Sequence, residues 1–106
     1  MKKTSTENPF DNLQLVVKLK DNFMFSELGP ESIILNLDQG VYFGVSHVAE
    51  KIWKKLAASG VNGLSIAEMN SQILNEFEVT PERLQTDLSQ FLKTLNEEGF
   101  LQLVNP

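Results

Sequence analysis

The sequence has no cysteine and a single histidine, His47. It therefore offers no disulfide, no thiolate nucleophile, no Cys-based metal site and no His-rich metal cluster. Basic residues are scarce as well: nine Lys and Arg stand against 14 Asp and Glu, a formal net charge of −5. That balance argues against binding a phosphate backbone, where clustered Lys and Arg supply the affinity. It suits a protein or peptide partner. No apolar run approaches the roughly 18 residues of a membrane span, and the N-terminus lacks the apolar core of a signal peptide. A cytoplasmic protein with no membrane contact is the expectation.

What the chain does have is enough for one core. With 106 residues, 42% of them hydrophobic, it is too short for two ordinary domains. Seven Phe and one Trp supply large aromatic anchors. Met1 to Asn12 is polar and has no periodic apolar face, so residues 1–12 are expected to form a disordered arm and 13–106 a single domain.

The chain is organised around residues 31–58, where a β-hairpin feeds directly into a helix. Ile33, Leu35 and Leu37 recur with period two, and Asp38-Gln39-Gly40 follows as a turn in which Gly40 is expected to take a positive φ. On the return strand Val41, Phe43 and Val45 share one face and Tyr42 lies on the other. Ser46 is placed to cap a helix with the apolar stripe Val48 or Ala49, Ile52, Trp53 and Leu56, while Glu50, Lys51, Lys54 and Lys55 face water. The three lysines form a small basic patch, ordinarily a solubility feature and otherwise a docking point for an acidic surface. Upstream, Leu13 to Leu19 alternates loosely as an extended segment or short strand, and Phe23 to Leu28 makes a better strand before the Gly29-Pro30 break. In a simple meander Val41–Val45 is an edge strand with unpaired backbone groups.

Two further helices follow. Ser65-Ile66-Ala67-Glu68 has the spacing of a capping box and opens a helix with Ile66, Met69, Ile73 and Phe77 on one face. Thr80-Pro81 gives an N-cap and a proline at the first helical position. Leu84, Leu88, Phe91, Leu92 and Leu95 then share an arc, and Gly99 is placed to end the helix in a left-handed conformation. Residues 100–104 can add a short strand. The expected fold is α+β and winged helix-turn-helix-like, with a three-stranded antiparallel sheet followed by three helices.

The hairpin-to-helix stretch LNLDQGVYFGVSHVAEKIWKKL, the helix IAEMNSQILNEFEV and the segment TPERLQTDLSQFLKTLNEEGFL resemble PqqD-type proteins, the peptide-recognition domains of ribosomal peptide biosynthesis. The resemblance runs from about Phe23 to Leu101. It is carried by the order and spacing of Gly40 to Val45, Ile52-Trp53, Asp87, Phe91-Leu92 and Gly99. Ser46-His47 departs from it, since many relatives have Asn or Asp followed by an acidic or small residue there. The resemblance implies a non-enzymatic adaptor, with no cofactor of its own, that binds the leader region of a precursor peptide. In such domains the leader adds as a strand to the edge of the small sheet and lies beside the third helix. The implied partners are the precursor leader and either a lasso-peptide leader protease and cyclase, the favoured assignment, or a radical S-adenosylmethionine maturase.

Edge-strand addition is also what the residues suggest, because an extended peptide gains backbone hydrogen bonds at such an edge and specificity from alternate side chains. The candidate peptide-binding residues are Val41, Tyr42, Phe43, Gly44 and Val45 on the strand, with Arg83, Leu84, Asp87, Leu88, Gln90 and Phe91 on the third helix. Helical geometry puts Arg83, Asp87, Gln90 and Thr94 in one polar stripe; the competing flank is Gln85, Ser89 and Asn96. His47 has no acid–base partner at a useful spacing. A winged-helix DNA-binding module is the alternative of another class, but its third helix would offer Arg83 and Lys93 against Glu82, Asp87, Glu97 and Glu98.

Overall fold

Two antiparallel three-stranded sheets flank three helices in the computed structural model, which describes residues 8–45 and 47–104. One sheet is the expected meander: β2 (Phe23–Leu28), β3 (Glu31–Asn36) and β4 (Val41–Val45), in that spatial order. Its register is continuous, with Met24 opposite Leu35 and Leu35 opposite Tyr42. Gly40 takes φ 73° at the hairpin turn, the left-handed value that a Cβ would disfavour. The other sheet was foreshadowed only as loose extended segments. It places β1 (Val16–Leu19) between the two-residue strand β5 (Leu64–Ser65) and the C-terminal β6 (Leu101–Val104).

The helices start and stop where their caps direct. In α2 (Ile66–Glu76) the Ser65 hydroxyl accepts the Glu68 N–H at 3.0 Å, and the Glu68 carboxylate accepts the Ser65 N–H at 3.0 Å, closing the capping box. In α3 (Pro81–Glu97) the Thr80 hydroxyl accepts the Arg83 N–H at 3.1 Å. Gly99, at φ 83°, turns the chain out of α3 toward β6. The first helix, α1, spans His47–Ser59; the expected cap residue Ser46 lies outside the described residues.

One contiguous core joins all three helices to both sheets. Trp53 of α1 sits at its centre, fully buried, with Phe23 edge-on at 4.8 Å and Phe100 edge-on at 5.8 Å. Leu84, Leu88, Leu92 and Leu95 of α3, Ile66, Met69 and Ile73 of α2, and Val17 of β1 complete it. Burying a side chain of this size stabilises the fold by about 1.5–3 kcal/mol.

One expectation is corrected here. Residues 8–12 do not belong to a disordered arm: Pro9–Asp11 form a 3-10 turn capped by the Asn8 side chain, and Phe10 is 3% exposed within the core. The physical cause is burial of the Phe10 ring together with the Asn8 cap and the turn hydrogen bonds from Asp11 and Asn12, which jointly offset the cost of ordering the segment. Residues 1–7 lie outside the described residues. In β3 the period-two series Ile33, Leu35, Leu37 faces outward, and Ser32, Ile34 and Asn36 face the core at 0–1% exposure. Two polar residues are tolerated there because both are bonded. The Ser32 hydroxyl donates to the Glu50 carboxylate of α1, and Asn36 holds the hairpin turn against the end of α3.

Candidate peptide-binding site

The β4 strand pairs with β3 on one side, and among the described residues nothing pairs with its other side. Its alternation is as expected. Phe43 is half-buried and meets Phe100 edge-on at 5.7 Å, Val45 is buried, and Tyr42 stands 70% exposed on the outer face. Val41, though on the inward-facing side, is exposed at the strand's start, and Gly44 is exposed.

The strand is fixed relative to the C-terminal end of α3 by a polar clamp. Asn36 Oδ1 accepts the Asp38 and Gln39 N–H groups at 2.9 and 3.2 Å, and its Nδ2 donates to the Glu98 carbonyl at 2.9 Å. Asn22 Nδ2 donates to Asp38 Oδ2 at 3.0 Å and to the Gly99 carbonyl at 3.1 Å. The hairpin turn is thus tied to the α3–β6 junction, and the stacking of Phe43 on Phe100 continues that junction into β4. Neither asparagine was singled out from the sequence. The available signal was a polar residue, Asn36, next to an apolar strand and a turn.

On α3 the candidates divide. Leu84 and Leu88 are 0% and 1% exposed, so as ligand contacts they are corrected: their side chains face the core and can only support the helix. Arg83 is exposed and its Nε donates to Asp87 Oδ2 at 3.0 Å; Asp87 and Phe91 are half-buried. An exposed i,i+4 pair of this kind contributes about 0.3–0.5 kcal/mol, so both groups remain available to a ligand. Gln90 is exposed and, three and seven residues on from Asp87 and Arg83, stays on their side of the helix. It lines a polar recess with Asn8, Asp11, Gln85 and Ser89, on the flank where the N-terminal turn packs and Asn8 bonds Ser89. Of the competing flank, Ser89 is thus engaged by the N-terminal turn, and Gln85 and Asn96 are exposed.

The basic patch of α1 is engaged within the fold. Lys54 reaches Glu27 at 3.0 Å, Lys55 pairs with Glu76, and Lys51 lies 5.0 Å from the centre of the Phe77 ring. The Glu27 hydrogen bond raises the Lys54 pKa above its ordinary value, and the Ser32 hydroxyl holds the Glu50 carboxyl below its own. His47 is exposed. No helix among the described residues is long and apolar enough to cross a membrane.

The family model described as Coenzyme PQQ synthesis protein D (PqqD) matches residues 31–101, which include the hairpin, all three helices and the start of β6. The chain belongs to the PqqD family. Among curated proteins none matches it. Two solved structures are similar. One is TbiB1 in complex with the TbiA(beta) leader peptide, at 27% identity and a TM-score of 0.65, covering 80% of this chain and 94% of that one. The other is lasso peptide synthetase B1 complexed with the leader peptide, at 19% identity and a TM-score of 0.64, covering 81% of this chain and 96% of that one; this is a likeness of fold.

Proposed function

We propose that this PqqD-family domain binds the leader region of a ribosomally made precursor peptide and presents the peptide to processing enzymes, in lasso-peptide biosynthesis. The observation that carries this reading is the similarity over most of both chains to TbiB1, which was solved with a leader peptide, in a chain whose own β4 edge lacks a partner among the described residues. The leader adds as a strand along Val41–Val45, takes backbone hydrogen bonds from the edge, and lies beside α3, where Arg83, Asp87 and Phe91 are accessible. Phe43 and Phe91 are partly buried apolar residues packed against the core, and the Arg83–Asp87 pair offers one charge of each sign.

The domain acts by holding and orienting the peptide and not by catalysis. Its enzymatic partners are a leader protease and a cyclase, and it acts in the cytoplasm. Delivery of a precursor to a radical S-adenosylmethionine enzyme is the neighbouring function within the same family. A DNA-binding role gains no support from α3, whose Arg83 is already bonded to Asp87 and whose remaining charges are Glu82, Lys93 and Glu97.

Calorimetric titration with the leader of the cognate precursor tests the proposal. Saturable binding, weakened by Asp87→Ala or Arg83→Ala in variants with unchanged melting, is the expected result. No binding by the folded wild-type domain would end the proposal.

A further inference from the structure

Gly44 interrupts a strand that is otherwise β-branched or aromatic, and nothing in the fold demands a glycine there. Its φ is not in the left-handed region. A Cβ built on it would meet a single atom within 4 Å, Glu31 Oε1 at an ordinary 3.9 Å. The pairing of β4 with β3 runs without a skipped residue from Val41 to Val45, so there is no bulge. Glycine weakens a strand. A mid-strand glycine that no bulge explains often marks a site where a ligand or another backbone approaches closely.

The register shows what a side chain at this position would block. Across the sheet Gly44 is opposite Ile33, and Ile33 is opposite Ser26. All three share the outer face with Tyr42 and Met24. The row Ser26–Ile33–Gly44 is bordered by the row Met24–Leu35–Tyr42 and, on the other side, by the pair Leu28 and Glu31, whose carboxylate lies beside Gly44. The result is a recess of about 400 Å³ lined by Met24, Ser26, Leu28, Ile33, Leu35 and Tyr42. Met24 and Leu28 are 57% and 59% exposed, an apolar surface that a solvated sheet face would ordinarily replace with polar side chains. Gly44 adjoins the recess through Ile33, its partner across the sheet, and puts no side chain between Ile33 and the β4 edge.

We propose that this recess is a side-chain subsite for the peptide strand that adds to β4, and that it takes a large apolar residue, preferentially aromatic. The inference rests on strand addition as the mode of binding. A residue paired with Gly44 points to the outer face whichever way the added strand runs. Neighbouring strands lie about 4.8 Å apart, so β3 is about 10 Å from the added strand. A Phe, Tyr or Trp side chain laid over the bare Gly44 backbone reaches the Ile33 side chain, whereas Ala or Ser does not. A ring covering a glycine in the adjacent strand is a favourable cross-strand arrangement. Specificity then has two sources: inward-pointing peptide residues meet the α3 side, and one outward residue fills the recess.

The test uses an mRNA-displayed random 14-residue peptide library, selected on the full chain. Selected peptides are mapped by amide chemical shifts and titrated against wild type, Gly44→Thr and Gly44→Ala. The expected peptides shift Val41–Val45, share a large apolar residue at one position, and bind Gly44→Thr about five- to tenfold more weakly, with Gly44→Ala between. Replacing that shared residue by Ala in the peptide weakens binding to wild type and has little effect on Gly44→Thr, the signature of a direct contact. The peptide-side substitution reads the same contact in the unaltered domain should Gly44→Thr fail to fold. Peptides that shift Val41–Val45 but show no shared large residue, or bind wild type and Gly44→Thr equally, overturn the subsite and leave strand addition standing. Selected peptides that leave Val41–Val45 unshifted overturn strand addition, and the subsite with it.

Discussion

Replacing Asn36 by alanine removes three hydrogen bonds at once: those accepted from the Asp38 and Gln39 N–H groups and the one donated to the Glu98 carbonyl. Each contributes about 1 kcal/mol net. Asp38 and Gln39 are exposed and their freed N–H groups find water, whereas the Glu98 carbonyl loses its partner in a half-buried site. The expected cost is therefore about 2–3 kcal/mol, or a fall in Tm of about 10–20 °C for a domain of this size. Asn36→Asp separates the two halves of the clamp. Its carboxylate can still accept from the turn but sets an oxygen against the Glu98 carbonyl, so at neutral pH it is expected to lose the helix contact and keep the turn. Urea melts of wild type and both variants give the stabilities, and chemical shifts of Glu98 to Phe100 report the helix contact. A loss below about 0.5 kcal/mol for Asn36→Ala, within the range of ordinary surface substitutions, would refute the view that a buried clamp fixes β4 against the end of α3.

Phe10→Ala is expected to destabilise the domain by about 3 kcal/mol, as loss of a buried aromatic does; an unchanged urea midpoint would mean that the N-terminal turn does not anchor in the core. The Glu68 carboxyl is held below its ordinary pKa by the Ser65 N–H and hydroxyl. Its contribution to α2 is thus full above the unfolded-state pKa and lost as pH falls through the lower folded-state value. Glu68→Gln should accordingly flatten the acid limb of a Tm-versus-pH curve, and an unaltered limb would count against the capping box as its source. At the proposed edge, Val41→Pro removes a backbone donor and Tyr42→Ala only a side chain. Among variants with native-like melting, the proline change should weaken leader binding more, and the reverse order in calorimetry would count against backbone pairing.

The parts of the fold that were legible in the sequence are those fixed by neighbours along the chain. The Ser65/Glu68 capping box, the Thr80-Pro81 start of α3, Gly40 in the hairpin and Gly99 after α3 each announce themselves within four residues. The sheet built on β1 does not, because Val17 pairs with Leu103 and Leu64, partners that only the finished fold brings together. The orientation of β3 was hidden for a different reason. Its apolar residues Ile33 and Leu35 lie on the outer face, half-buried, and the polar pair Ser32 and Asn36 faces inward because Glu50 and the Glu98 carbonyl are there to receive it. At the candidate site, the strand was readable from alternation, but the packing of the N-terminal turn on α3 was not: the bond from Asn8 to Ser89 joins residues that only the finished fold brings together. Phe10 had a local signal after all, an Asn8 cap followed by Pro9 at the first position of a turn.

The most direct test of leader addition to β4 is amide hydrogen exchange along Val41–Val45, with and without saturating leader peptide. In an antiparallel edge strand every second N–H bonds to the neighbouring strand and the others point to solvent. In the free domain alternate amides of β4 should therefore exchange slowly and the rest fast. With the leader bound, the fast set should slow by about tenfold or more while the already protected set changes little. Saturable leader binding that leaves the fast amides of Val41–Val45 unprotected would contradict the account.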